Sequence, residues 1–164
     1  MNGIAPGASY EHLAKAIIAR IKSVTTEVLL PNKEGEIVAL KVIRSYFDPK
    51  SYEKYDLPAI LVRVTAGSQN ESEERTASVE IILGAFLKDY GDDEFLISII
   101  ERIEQDLLSQ RILDHKYRLQ MPLNWSVLDS TEQPWPYWFA TMTASYYLPS
   151  IAEVRNEDGE GFDI

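Results

Sequence analysis

Four acids cluster at Asp89, Asp92, Asp93 and Glu94, in the stretch DYGDDEF. Carboxylates so grouped are hard oxygen donors that suit magnesium or calcium, and a metal held there could support hydrolysis. The same residues also suit the start of a helix, with Asp92 or Asp93 as the cap and Glu94 favourable to the helix dipole. That structural reading is preferred. The two histidines, His12 and His115, fall in a helical pattern and in a polar turn, without HExxH or paired spacing, and read as surface residues. No GxSxG elbow occurs, and nothing in the spacing singles out a Ser–His–Asp triad. A non-enzymatic protein is expected, with no catalytic residues, no cofactor and no metal.

The other chemically conspicuous stretch is EQPWPYWFATMTASYYLP, residues 132–149. Aromatics beside prolines could form a stacking platform, a protein contact or ordinary core. From Trp138 onward Ala140, Met142, Ala144, Tyr146 and Leu148 share one face, and Phe139, Thr141, Thr143, Ser145 and Tyr147 the other. This predicts a strand. Pro134 and Pro136 stiffen the connection before it, leaving Trp135 and Tyr137 as expected contact anchors.

The 164 residues carry a net charge of -10 and no cysteine. The charge disfavours binding to a phosphate backbone, which needs Lys and Arg to displace counterions, so no sequence-specific nucleic-acid binding is expected. The lack of cysteine removes disulfides and thiolate chemistry and suits assembly in the cytoplasm. Neither a signal-like start nor a membrane-length apolar run is present, so no membrane association is expected.

The elements that would position these residues emerge from periodicity. Residues 9–24 place Leu13, Ala14, Ile17, Ile18, Ile21 and Val24 at helical spacing behind a Ser9 cap. Pro31, Asn32 and Gly35 mark a turn, and residues 36–47 are β-branched as a strand requires. LPAILVRV, residues 57–64, is nearly continuous in apolar character and predicts a central strand buried on both faces. In residues 77–88 Ala77, Val79, Ile81, Leu83, Ala85 and Leu87 alternate. Residues 89–110 predict the clearest helix, with Phe95, Leu96, Ile99, Ile100, Ile103 and Leu107 in one stripe. Residues 117–128 alternate again, and Pro122 inside them predicts an edge or a bulge.

The order is helix, three strands, helix, two strands, which predicts an α+β fold: one domain over residues 1–152, with a mainly antiparallel sheet of about five strands packed on two amphipathic helices. Residues 153–164 form an acidic, flexible tail in this reading. Between the strands at 57–64 and 77–88, residues 65–76 hold no large apolar side chain and predict a long flexible connection. It should be readily cut after Arg75, and residues 68–74 should be removable without unfolding the subunit.

The pattern LPAILVRV, charged loop, TASVEIILGAFLKDYG, FLISIIERIEQDLL and YRLQMPLNWSVLDSTEQPWPYWFATMTASYYLP resembles the tail terminator (tail completion) proteins of long-tailed bacteriophages and prophages. The resemblance covers residues 9–149 and rests on order and spacing. It implies a structural subunit of the virion, closing into a homo-oligomeric ring, usually of six, at the head-proximal end of the tail. There it would stop polymerisation of the tail-tube protein and offer a joining surface to a head–tail connector protein. It implies ring contacts from the loop between central strands, hence from Ser68, Gln69, Asn70, Glu71, Glu73, Glu74 and Arg75, beside Trp135 and Tyr137. Neck, head-closure and other minor tail proteins are the alternatives within this class. A small metal-assisted hydrolase using Asp92, Asp93 or Glu94 is the alternative outside it.

Overall fold

The computed structural model describes residues 8–46, 48, 51–88, 94–128 and 135–154. Helix α1 (Tyr10–Thr25) starts where expected: Ser9 is extended at φ -151, and its Oγ accepts a 3.0 Å hydrogen bond from the His12 amide. That bond satisfies one of the amides a helix start leaves unpaired. Leu13, Ala14, Ile17 and Ile21 are buried along its inner face. Helix α2 (Glu94–Ser109) buries Leu96, Ile99, Ile100, Ile103 and Leu107. The residues expected to cap it, Asp92 and Asp93, lie outside the described residues. Arg20 and Asp106 tie the helices together through Nε to Oδ2 at 3.1 Å and a second contact from Nη2 to Oδ1. The hydrogen bond to Asp106 raises the Arg20 pKa above its usual value.

Eight strands accompany the helices among the described residues. Strands β1 (Leu29–Pro31) and β2 (Ile37–Ala39) form a separate hairpin. Its turn is organised by Asn32, whose Oδ1 accepts from the amides of Glu34 and Glu36 at 3.0 and 2.9 Å. Gly35 supplies a positive φ of 83, which an L side chain rarely adopts. The main sheet has six strands in the order β3-β4-β5-β8-β7-β6. These are β3 (Lys41–Arg44), β4 (Ala59–Gln69), β5 (Arg75–Phe86), β6 (Ile112–Leu113), β7 (Tyr117–Val127) and β8 (Tyr137–Leu148). Only β3 and β4 pair in parallel; the other neighbours are antiparallel. The architecture is α+β, with three more strands than expected, because the stretch expected as one strand over 36–47 holds both β2 and β3 and the short β1 and β6 had too few residues to show a period.

Both helices cover one face of this sheet, where Ile60, Val62, Val79, Ile81, Leu83, Met142 and Tyr146 join the main core. At one end the opposite face buries a smaller cluster of Leu57, Ala59, Leu61, Ile82 and Phe139. Leu57 to Val62 are therefore buried on both faces, as their continuous apolar run predicts. Toward the other end that face is open and hydroxyl-rich: Thr76 and Ser78 of β5 lie opposite Tyr147 and Ser145 of β8.

The largest departure concerns residues 65–76. They are not a long flexible connection: β4 runs to Gln69, β5 begins at Arg75, and only residues 70–74 turn between them. Polar residues hid the strands because half of the sheet there faces water, so alternation shows small and polar side chains rather than large apolar ones. Inside the turn Asn70 does the shaping. Its Oδ1 accepts from the Glu74 amide at 3.0 Å, and Glu73 takes a left-handed φ of 62.

Candidate interaction surfaces

The residues expected at a contact occupy two ends of the sheet. At one end, Ser68 Oγ lies 3.2 Å from Thr76 Oγ1 across the hairpin. Gln69 brackets the backbone of Ile151, with Oε1 accepting from its amide at 2.9 Å and Nε2 donating to its carbonyl at 3.0 Å. Asn70, Glu71, Glu73 and Glu74 are exposed at the tip. Arg75 is different. It is 5% exposed, its guanidinium stacks 4.6 Å from the Tyr10 ring centroid, and its Nη1 donates to the Pro149 carbonyl at 3.4 Å. The expectation of a cleavable, exposed Arg75 is thus overturned: the side chain anchors the hairpin to α1.

At the other end, Trp135 is 62% exposed beside a cis Trp135-Pro136 bond. Tyr137 is half-buried and packs edge-on to Phe86 with centroids 5.1 Å apart, while Lys33 Nζ stands 5.5 Å from its ring centroid. The structure therefore does not unite the two groups. Arg75 pairs with Leu148 and Phe86 with Tyr137, at opposite ends of the 12-residue strand β8. Eleven steps at ~3.3 Å put them about 36 Å apart.

Several features were not foreseen. The lateral edges of the sheet are partly open, because β3 pairs β4 only as far as Val62 and β6 pairs β7 only at Tyr117 and Arg118. Along the β7 edge Met121 and Trp125 are 49% and 37% exposed, although their period-two pattern suggested a covered face. The pairing of β7 with β8 slips between Gln120 and Asn124, around the cis Met121-Pro122 bond, and this irregularity carries Met121 away from the core. Pro122 had marked that edge in advance. Trp125 remains tied to α2 by a 3.0 Å hydrogen bond from Nε1 to Glu104. A groove of about 400 Å³ runs between the end of α1 and β3, lined by Lys22, Thr25, Ala39, Val42 and Ile43.

His12 is neither isolated nor simply superficial. Its Nδ1 lies 2.7 Å from the Tyr117 hydroxyl, and its Nε2 lies 3.2 Å from Asp114 Oδ2. Asp114 and His115 both adopt positive φ, 51 and 56, in the turn between β6 and β7. The turn geometry therefore presents Asp114 to the helix. Tyr117 also accepts from the Ser9 amide at 3.2 Å. Burial pushes its phenol above the usual tyrosine value, and the hydrogen bond with the Ser9 backbone partly opposes that shift. The network fastens the first turn of α1 to the far edge of the sheet. It joins residues roughly 100 positions apart in the chain, a pairing that no local spacing could reveal.

Of the acids proposed as metal ligands, Glu94 is exposed at the start of α2, while Asp89, Asp92 and Asp93 lie outside the described residues. Among the described residues no group of three or more His, Asp or Glu side chains is placed to hold a metal ion, and no helix is long and apolar enough to cross a membrane. No protein-family model matches the chain, and no curated protein matches it.

Proposed function

We propose that this chain is a structural subunit that acts by self-assembly, as its resemblance to phage tail terminators implies: a ring capping the tail tube and offering a surface to a head–tail connector. The observation that supports this reading is the separation of its two exposed contact candidates. A closed ring with one subunit per step needs a heterologous contact, in which one patch meets a different patch on the next copy. The polar tip of residues 70–74 and the Trp135 end are two such patches, set at opposite ends of one sheet. The mechanism is geometric: once the ring closes on the tube, its outer surface presents no further site for tube subunits.

Light scattering of the purified protein over a range of concentrations, alone and with tail-tube protein, tests the proposal. A closed oligomer, or a defined ring formed on tube ends, supports it. A strict monomer that leaves tube polymerisation unaffected would sink it.

A further inference from the structure

Beside the β4–β5 turn a cavity of about 610 Å³ opens between Glu74, Arg111, Arg118, Gln120, Met121 and Tyr147. That volume falls within the roughly 300–1,000 Å³ of ordinary ligand sites. Two of these residues are arginines, and among the described residues neither forms an ion pair. Among the same residues the Arg111 side chain uses only its Nε–H, donated to the Leu108 carbonyl at 3.2 Å, and the Arg118 side chain makes no hydrogen bond. In a chain of net charge -10, two cations without a carboxylate in one cavity are a local exception.

The sheet register explains why no cross-strand acid reaches Arg118. On the open face it stands between Tyr147 of β8 and Ile112 of β6, and Tyr147 stands opposite Thr76 of β5. The next rank, Gln120, Ser145 and Ser78, is equally without charge. One rank further the sheet does pair its cation: Arg63 lies opposite Glu80, with Nε 3.9 Å from Oε1. Glu74 lines the cavity but forms no ion pair with either arginine. The planar forks therefore keep donors suited to a carboxylate, which arginine receives in bidentate fashion. Met121, also in the lining, is 49% exposed, on a stretch of β7 whose outer edge β6 leaves unpaired. A flexible thioether there accommodates apolar side chains of varied shape.

We propose that this cavity receives an acidic, extended segment of a partner protein: the arginines take a Glu or Asp carboxylate, and a neighbouring apolar side chain of the segment packs on Met121. Isolated carboxylates fit better than a run of phosphates. Glu74 in the lining and the charge of the whole chain oppose a polyanion, whereas a peptide can set one carboxylate between apolar residues. A monomer already presents the whole cavity, so the site stands independently of ring formation.

The test titrates the isotope-labelled full chain with two synthetic hexapeptides, one alternating Glu with Leu and one alternating Gln with Leu. NMR follows the Nε–H signals of Arg111 and Arg118 and the Met121 methyl. The Glu–Leu peptide should shift all three, and Arg118→Gln should weaken its binding by about tenfold, as the loss of a charged hydrogen-bond donor does. Arg63→Gln removes the same charge from the same sheet and should leave the affinity nearly unchanged, because that cation is already paired with Glu80. No shift with the Glu–Leu peptide overturns the proposal. So does an equal response to the Gln–Leu peptide, or an equal loss from Arg63→Gln, since binding would then come from apolar contact or from the general field. Inorganic phosphate or a short oligothymidylate that moves the arginine signals at the same concentration overturns it as well, because the cavity would then take small anions or nucleic acid.

Discussion

The Tyr10 ring covers Gly67 so closely that a Cβ placed on the glycine would stand 2.5 Å from the tyrosine hydroxyl. The same ring also carries the Arg75 guanidinium. One aromatic side chain from the first turn of α1 thus pins both strands just below the β4–β5 turn. Gly67→Ala should therefore destabilise the protein by about 1 kcal/mol, the low end of the overpacking range, because the atoms it meets are the distal end of the Tyr10 side chain, which gives way by loosening its stacking on Arg75. Urea unfolding measures it. In a Tyr10→Ala background the same glycine substitution should cost much less, because the clashing ring is gone.

Trypsin should leave the Arg75–Thr76 bond intact in the native protein. The bond lies within a paired strand, and Arg75 is buried beneath Tyr10. Cleavage there requires opening the end of the sheet, which costs a substantial part of the global stability. Mass spectrometry of a short digest checks this, and early cutting after Arg75 would mean that Tyr10 does not anchor the strands beside the turn.

Tyr146 provides a pH-dependent test. Among the described residues its buried hydroxyl has no hydrogen-bond partner, and burial, reinforced by the charge of Asp106, drives its pKa well above the usual tyrosine value. An acid whose folded pKa is raised gives stability that is complete below its unfolded pKa, about 10 for tyrosine, and is lost as pH climbs toward the folded value. Unfolding midpoints should fall above about pH 10, and Tyr146→Phe should flatten that fall. At neutral pH the substitution removes an unsatisfied polar atom without changing shape, so stability should hold or rise by up to about 1 kcal/mol. A clear loss at neutral pH would show that the hydroxyl has a partner, such as an internal water.

What the sequence disclosed and what it concealed divide along physical lines. Both helices, and the buried strands over residues 59–62, 77–86 and 138–148, were legible because large apolar side chains repeat at the period of the structure. Pro122 correctly marked an edge and a bulge, since it cannot donate to a ladder. The strand ends at residues 65–69 and 75–76 were concealed because these residues are themselves mostly Thr, Ser, Gly and Gln on a half-solvated sheet. Gly67 was the available signal: a lone glycine in a strand often marks a close approach, in this case that of Tyr10. The link of His12 to Tyr117 and Asp114, and the burial of Arg75, depend on tertiary placement. The deletion of residues 68–74, expected to leave the subunit folded while impairing the ring, would also remove Gln69 and its grip on Ile151.

Assembly can be tested without disturbing those strands. Glu71 and Glu74 are exposed at the hairpin tip, and Trp135 is exposed at the opposite end of the sheet. If tip meets Trp135 end around a ring, Glu71→Lys with Glu74→Lys spoils one half of every contact, and Trp135→Ala spoils the other. Each variant alone should remain monomeric while keeping its stability within about 0.5 kcal/mol of the parent, as surface changes usually do. Their mixture discriminates further. The tip variant still has an intact Trp135 end and the Trp135 variant an intact tip, so one productive contact can form, and the two outward ends of that pair are both defective. Light scattering should then report heterodimers and nothing larger. A contact between like patches would behave otherwise: one variant would assemble fully by itself, and mixing would add nothing.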